Sequence, residues 1–197
     1  MKNPNHPVAG STITVEPIKT LSDIENIKRL LAQKPRDLLL FTIGVNSGLR
    51  MGDILRLKVG EVHGLEPGDS LVIREGKNGR NDVLFINRAI HEALKGHLGE
   101  GELDGELYLF RSRKGNNMPL SVGSANGLVK SWARAINLSG NYGTHTLRKT
   151  FGYIQRMYYG VGFEILARRF NHSGPASTMR YLGIKDKEVK EILLHEI

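Results

Sequence analysis

No cysteine occurs among the 197 residues, which excludes disulfides and thiolate metal sites and suits a reducing compartment. Long apolar runs are missing as well. The longest, Leu38 to Val45 (LLLFTIGV), is interrupted by Thr42 and falls far short of the roughly 20 residues that span a membrane. The N-terminus carries no apolar signal core, and no internal repeat or low-complexity tract is present. These absences point to a soluble, intracellular, cytoplasmic protein. The length allows one domain of ordinary size, with a core that needs no covalent staples.

Acidic residues are also in deficit. Lys and Arg number 28 against 20 Asp and Glu, a formal net charge of +8 with a sequence pI near 9.8. A surplus of this size favours polyanionic partners, because neutralising phosphates releases condensed counterions. An ordinary basic protein would carry such a charge too. The basic residues are dispersed from Arg50, Arg56 and Lys58 through Lys77, Arg80, Arg111 and Lys130 to Arg148 and Lys149. Dispersion argues for a folded binding face rather than a disordered basic arm.

Residues 1–20 mix Pro, Gly, Asn and Thr without periodicity and read as an N-terminal extension or linker. Residues 21–197 then read as one domain. Ser22-Asp23-Ile24-Glu25 has the form of a capping box, followed by Ile24, Ile27, Leu30 and Leu31 at helical spacing. A second helix is predicted from Pro35 to Gly48, and a short third from Met51 to Leu57. The period then changes. SLVIR (70–74) and VLFI (83–86) are strand-like, and Gly76-Lys77-Asn78-Gly79 between them is turn chemistry, so a hairpin with Lys77 at its tip is expected. Helix resumes over Arg88–Leu98, Leu107–Phe110 reads as a short strand, and helices are predicted over 121–137 (capped by Ser121), 145–159, 161–170, 175–182 and 186–195. The fold class is mainly α with a small antiparallel β-sheet, an α+β arrangement.

Within this frame, chemistry-bearing side chains recur near the C-terminal end. HTLRKTFGY (145–153) and FNHSGPASTMRYLGI (170–184) bring two histidines, an arginine and a tyrosine within a short stretch. Tyr181 is either half-buried packing or a nucleophile toward a phosphodiester. His145 and Arg148, three apart on one helix, share a face near that helix's N-terminus, where anions are favoured. Each also has a plain structural reading, as a cap or a surface charge. His172 opens a Ser-Gly-Pro turn. Upstream, Arg50 follows the helix-ending Gly48 between Leu49 and Leu57, which look like anchors. An arginine at a helix start is well disposed to fork onto phosphate. Asp53 either orients that guanidinium or serves as a first-turn helix charge.

The ordered set is more specific than its members. NSGLRMGDILRL, EGKNGRNDVLFI, HTLRKTF and NHSGPASTMRYLGI resemble, in order and context, the tyrosine recombinase (phage integrase) family, and the match runs from about residue 21 to the end. The resemblance implies that family's catalytic-domain fold, which breaks and rejoins DNA without metal, cofactor or ATP. It implies Arg50, Arg148 and His172 as the phosphate clamp and Tyr181 as the nucleophile that forms a 3′-phosphotyrosyl link. It further implies His145 as the group that handles the tyrosine's proton, Lys77 as donor to the leaving 5′-oxygen, and Asp53 in support. Double-stranded DNA is the partner implied, with self-association into a tetrameric synapse and accessory DNA-bending proteins.

Two local departures accompany the match. Lys149 follows Arg148 where many relatives carry histidine, and Asn171 precedes His172 where glycine is common. The length leaves two origins open: a catalytic domain excised from a longer protein, or a short member similar to the fimbrial phase-variation or mobile-element enzymes. Asp186–Ile197, with Val189, Ile192, Leu193 and Ile197 on one helical face, is expected to fold onto its own core or dock in trans. A non-cutting DNA-binding or directionality protein, and a type IB topoisomerase-like enzyme, are the alternative functions on this fold.

Overall fold

The longest apolar run becomes the central helix. In the computed structural model, which describes residues 14–74, 81–99 and 103–184, α2 (Pro35–Ser47) buries Leu39, Leu40, Phe41 and Ile43 completely. A helix surrounded on most sides needs a continuous apolar sequence rather than a stripe, and LLLFTIGV supplies it. Pro35 starts the helix with its φ already set, and Gly48 ends it in the left-handed conformation at φ 67°.

α1 (Leu21–Leu31) and α5 (Arg88–Leu98) pack against α2, and α7 (Thr144–Met157) crosses it at Gly44. A Cβ at Gly44 would stand 2.5 Å from Leu147 Cδ1, so the crossing depends on a residue without a side chain. α6 (Val122–Ala135) closes the other side through Trp132, whose ring meets Phe41 edge-on at 5.9 Å between centroids. Two short helices, α3 (Met51–Ile54) and α4 (Val59–Val62), follow α2. α8 (Phe163–Phe170) and α9 (Pro175–Leu182) form a pair around a separate small cluster of Leu166, Phe170 and Leu182. None of the described helices is long and apolar enough to cross a membrane.

The fold class matches the expectation: the described residues are mainly α with one two-stranded antiparallel sheet. β1 (Ser70–Arg74) pairs with β2 (Asn81–Phe85) in the register Ser70 to Phe85 and Arg74 to Asn81. Ile73 and Leu84 face the core, whereas Val72 and Phe85 are exposed. The expected hairpin tip with Lys77, and the expected helix 186–195, lie outside the described residues.

Three sequence expectations are corrected. The N-cap of α1 is Thr20, not Ser22: Thr20 Oγ1 accepts from Asp23 N at 3.0 Å and donates to Asp23 Oδ2 at 2.6 Å. The extended backbone at Thr20 puts Asp23, not Glu25, at the third helical position. The third helix is shorter than predicted, and Val59–Val62 forms a turn of helix of its own after Lys58. Leu107–Phe110 makes only an isolated bridge, Lys58 to Tyr108, because the partner chain turns into α4 at Val59 and cannot extend the ladder. The described part of the N-terminal stretch is extended, as expected, but it is also bonded to the core. Ile18 is 2% exposed and donates its N–H to Thr150 Oγ1 at 2.8 Å, and Glu16 N–H reaches Asn141 O at 2.8 Å.

Candidate active site

Arg148 is the hub. It sits one turn into α7, is 4% exposed, and spends its guanidinium on two carbonyls: Nη1 donates to Gly48 O at 2.6 Å and Nη2 to Phe170 O at 2.8 Å. The first bond ties α7 to the C-terminus of α2, and the second ties it to the end of α8. Its guanidinium also lies over the Phe170 ring, 4.9 Å from the centroid. Burial pushes this arginine below its usual value, with Tyr181 acting in the opposite sense.

Gly48 makes that junction possible. Its left-handed backbone turns the chain out of α2 and aims its carbonyl at Arg148, and a Cβ there would meet the Phe151 ring at 2.6 Å. Two residues on, Arg50 caps α3 in extended backbone, between Leu49 at 1% exposed and Leu57 at 2%. The flanking leucines are anchors, as the sequence suggested. Arg50 acts electrostatically on Arg148, His172 and Tyr181 alike, so the loop after Gly48 delivers it to the same centre. Asp53 is buried and forms an ion pair with Arg56.

Tyr181, on α9, belongs to a cluster of three rings. Its centroid lies 4.9 Å from that of His172 and 5.6 Å from that of Phe170, and Phe170 to His172 is 5.3 Å. The hydroxyl oxygen is buried and has no hydrogen-bond partner among the described residues. Burial pushes the phenol up to about 12, against the opposing pull of Arg148 and Arg50. Arg148, two of whose five N–H groups go to the carbonyls, stands close enough to the hydroxyl to favour its ionised form.

His172 follows the left-handed Asn171, the residue that terminates α8. That conformation is tolerated by asparagine almost as readily as by glycine, which accounts for an asparagine at this place. His172 Nδ1 is 3.0 Å from Thr178 Oγ1, a fully buried hydroxyl on α9, and this leaves Nε2 for another partner. Burial, then Arg148 and Arg50, lower the imidazole's proton affinity.

His145 is exposed in the first turn of α7. With Arg50, Asp53, Arg56, Thr144 and Arg148 it lines a pocket of about 290 Å³. Tyr181 and His172 do not line this pocket; Arg148 belongs to both groups and joins them. Arg50, Arg148, His172 and Tyr181 are therefore brought together, His145 and Asp53 border the same arginines, and Lys77 lies outside the described residues. Among the described residues no group of three or more acidic or histidine side chains is placed to share a metal ion.

Sequence reasoning missed the parts that hold this centre. Phe170 supplies a ring and a carbonyl to Arg148, and Thr178 fixes His172. Arg169 bonds Ser47 O, Val83 O at 3.0 Å and the Asp82 carboxylate at 2.6 Å, which ties α8 to both α2 and β2. It follows Arg168 directly, and no local signal separates the structural arginine from its exposed neighbour.

Comparison with known proteins bears on the family and the fold. The model of the phage integrase family matches residues 12–188. A probable integrase/recombinase, YoeC of Bacillus subtilis, is 36% identical over 175 residues, covering 87% of this chain and 91% of the relative. Tyrosine recombinase XerC of Caldanaerobacter subterraneus is 26% identical, covering 96% of this chain and 54% of the relative, so the chain spans only about half of that longer protein. Among solved structures, XerA recombinase superposes with a TM-score of 0.72 at 16% identity, over 92% of this chain and 65% of that one. XerH bound to a palindromic difH substrate, in a post-cleavage complex, gives a TM-score of 0.70 at 16% identity, over 93% and 53%. At such identities the structural likeness concerns the fold.

Proposed function

The chain belongs to the phage integrase family, and from that premise we propose that it is a site-specific DNA recombinase whose nucleophile is Tyr181. Double-stranded DNA is the substrate, in line with its +8 charge and with the DNA-bound state of the XerH neighbour. The observation that best supports the reading is a buried tyrosine hydroxyl, without a hydrogen-bond partner among the described residues, set beside two arginines with a histidine against its ring. A packing tyrosine normally finds a partner for its hydroxyl when buried. A nucleophile keeps it for the substrate.

The chemistry follows from what a phosphodiester requires. Negative charge grows on the non-bridging oxygens during in-line attack, and fixed cations stabilise it. Arg50 and Arg148 carry that charge, and His172 donates through Nε2. Tyr181 Oη bonds to phosphorus as the bond from phosphorus to the 5′-oxygen breaks, giving a 3′-phosphotyrosyl link and a free 5′-hydroxyl. The phenol's proton passes to His145, and Lys77 supplies a proton to the leaving oxygen. Reversal on another strand's 5′-hydroxyl restores a diester without ATP. Asp53 keeps Arg56 and the α3 turn in place beside Arg50. Exchange between two duplexes requires several active sites, so self-association on DNA is part of the proposal.

A nicked suicide substrate tests it, since loss of the 5′-fragment traps the adduct. The expected result is a protein–DNA adduct on a cognate site, absent in Tyr181→Phe. An adduct that persists in Tyr181→Phe overturns the assignment of the nucleophile. Salt-dependent binding with no adduct on any nicked site identifies a binder instead, and relaxation of supercoiled plasmid without site preference identifies a topoisomerase.

A further inference from the structure

Lys149 is a lysine in an unusual place. It is 4% exposed, neighbours Arg148 on α7, and sets its Nζ over the Tyr181 ring, 5.0 Å from the centroid. Lysines are almost never buried this deeply without a partner, because the ammonium loses its hydration. Among the described residues, the groups that face it are the Tyr181 ring from α9 and the Glu16 carboxylate from the extended segment before α1. Arg148, its neighbour along α7, is engaged with carbonyls.

We propose that Lys149 is a positioning residue for Tyr181, its ammonium seating the phenol ring through a cation–π contact so that the hydroxyl meets the arginine-bound phosphate in line. This rests on Tyr181 being the nucleophile. The ring is held on one side by Phe170 and His172 and on another by Lys149. Such a contact acts on the ring alone and needs no hydrogen bond to the hydroxyl, so it fixes the ring while leaving the oxygen to the substrate. α9 is only eight residues long, and a short helix relies on such tertiary contacts to hold a side chain in register.

The role requires a charged amine, and burial lowers its proton affinity, with Glu16 partly offsetting the loss. The contact is therefore lost as the amine deprotonates, at a lower pH than for an unburied lysine. Arginine in the same place keeps its charge throughout.

The test uses the full chain on the nicked suicide substrate, with Lys149→Met, Lys149→Arg and Tyr181→Phe in parallel. Lys149→Met should slow adduct formation about tenfold, as expected for loss of a desolvated cation–π contact, with DNA affinity unchanged within twofold. Lys149→Arg should restore most of the rate and remove the alkaline decline expected of the wild-type protein. An adduct rate within twofold of wild type in folded Lys149→Met overturns the proposal and leaves Tyr181's role intact. Should Lys149→Met fail to fold, the Lys149→Arg profile decides: an alkaline decline identical to wild type overturns the proposal. Adduct formation by Tyr181→Phe, by contrast, removes the nucleophile on which the proposal stands.

Discussion

Arg148 lies over the ring of Phe170 and donates to the backbone carbonyl of that same residue, 4.9 Å from the ring centroid and 2.8 Å from the oxygen. One arginine thus binds both the side chain and the main chain of the residue that ends α8. Because Phe170 also contacts His172 and Tyr181, the orientation of both depends on where Arg148 holds it. The same guanidinium reaches back to Gly48, two residues from Arg50. The proposed phosphate clamp and the packing beneath it are consequently one structure.

Arg148→Lys is therefore not a mild change. An ammonium keeps the charge but cannot fork onto Gly48 O and Phe170 O, so at least one buried carbonyl loses its donor. The expected cost is about 1–3 kcal/mol of stability, measured by urea unfolding. Adduct formation should fall by about a hundredfold or more, as for loss of a fixed transition-state donor. Unchanged stability would mean that the two carbonyl bonds contribute little to the fold.

Gly152→Ala should disturb the site without touching any polar group. A Cβ there would stand 2.6 Å from Phe170 Cζ and 2.8 Å from Leu182 Cδ2, so α8 and α9 must shift off α7. Overpacking of this kind costs about 1–3 kcal/mol. Adduct formation should drop while DNA binding stays near wild type, because Tyr181 moves and the basic surface does not. Gly127→Ala, at an exposed position of α6 with nothing within 4 Å, is the control and should gain about 0.5–1 kcal/mol of helix stability.

The pH behaviour of His172 can be followed by NMR. Burial and the two arginines lower its proton affinity in the folded state, so the free protein should hold the ring neutral at pH 6.5, where an unfolded histidine is half protonated. The sign for stability follows. The unfolded chain binds the proton more readily, so this residue's contribution is lost as pH falls below 6.5 and is whole above it. A phosphate bound between Arg50 and Arg148 would reverse the balance, and His172 should titrate at higher pH in the DNA complex. A titration near or above 6.5 in the free protein would contradict the buried, arginine-flanked environment.

Much of the fold follows from local pattern. Pro35 and Gly48 mark the ends of α2, β1 begins and ends where its alternation does, and α5 spans the predicted Arg88–Leu98. Boundaries were less legible where two side chains compete for one cap, as Thr20 does with Ser22, or where a strand's partner turns away, as Lys58 does before α4. Of the candidate site, the residue types of Arg50, His145, Arg148, His172 and Tyr181 stand out in sequence because each occurs in a distinctive run.

The linear chain by itself determined the helical class, the single hairpin, the basic charge and which polar side chains are available for phosphate chemistry. Those depend on periodicity and composition, which act over a few residues. Tertiary structure alone decided that Arg148 is buried between two carbonyls 100 and 22 positions away, and that Lys149 rather than another cation lies over Tyr181. It also decided which of four tyrosines beyond residue 150 lies in the ring cluster with His172. Such contacts arise where glycines at 44, 48 and 152 let helices approach closely, and no local rule encodes which distant partner will meet them there.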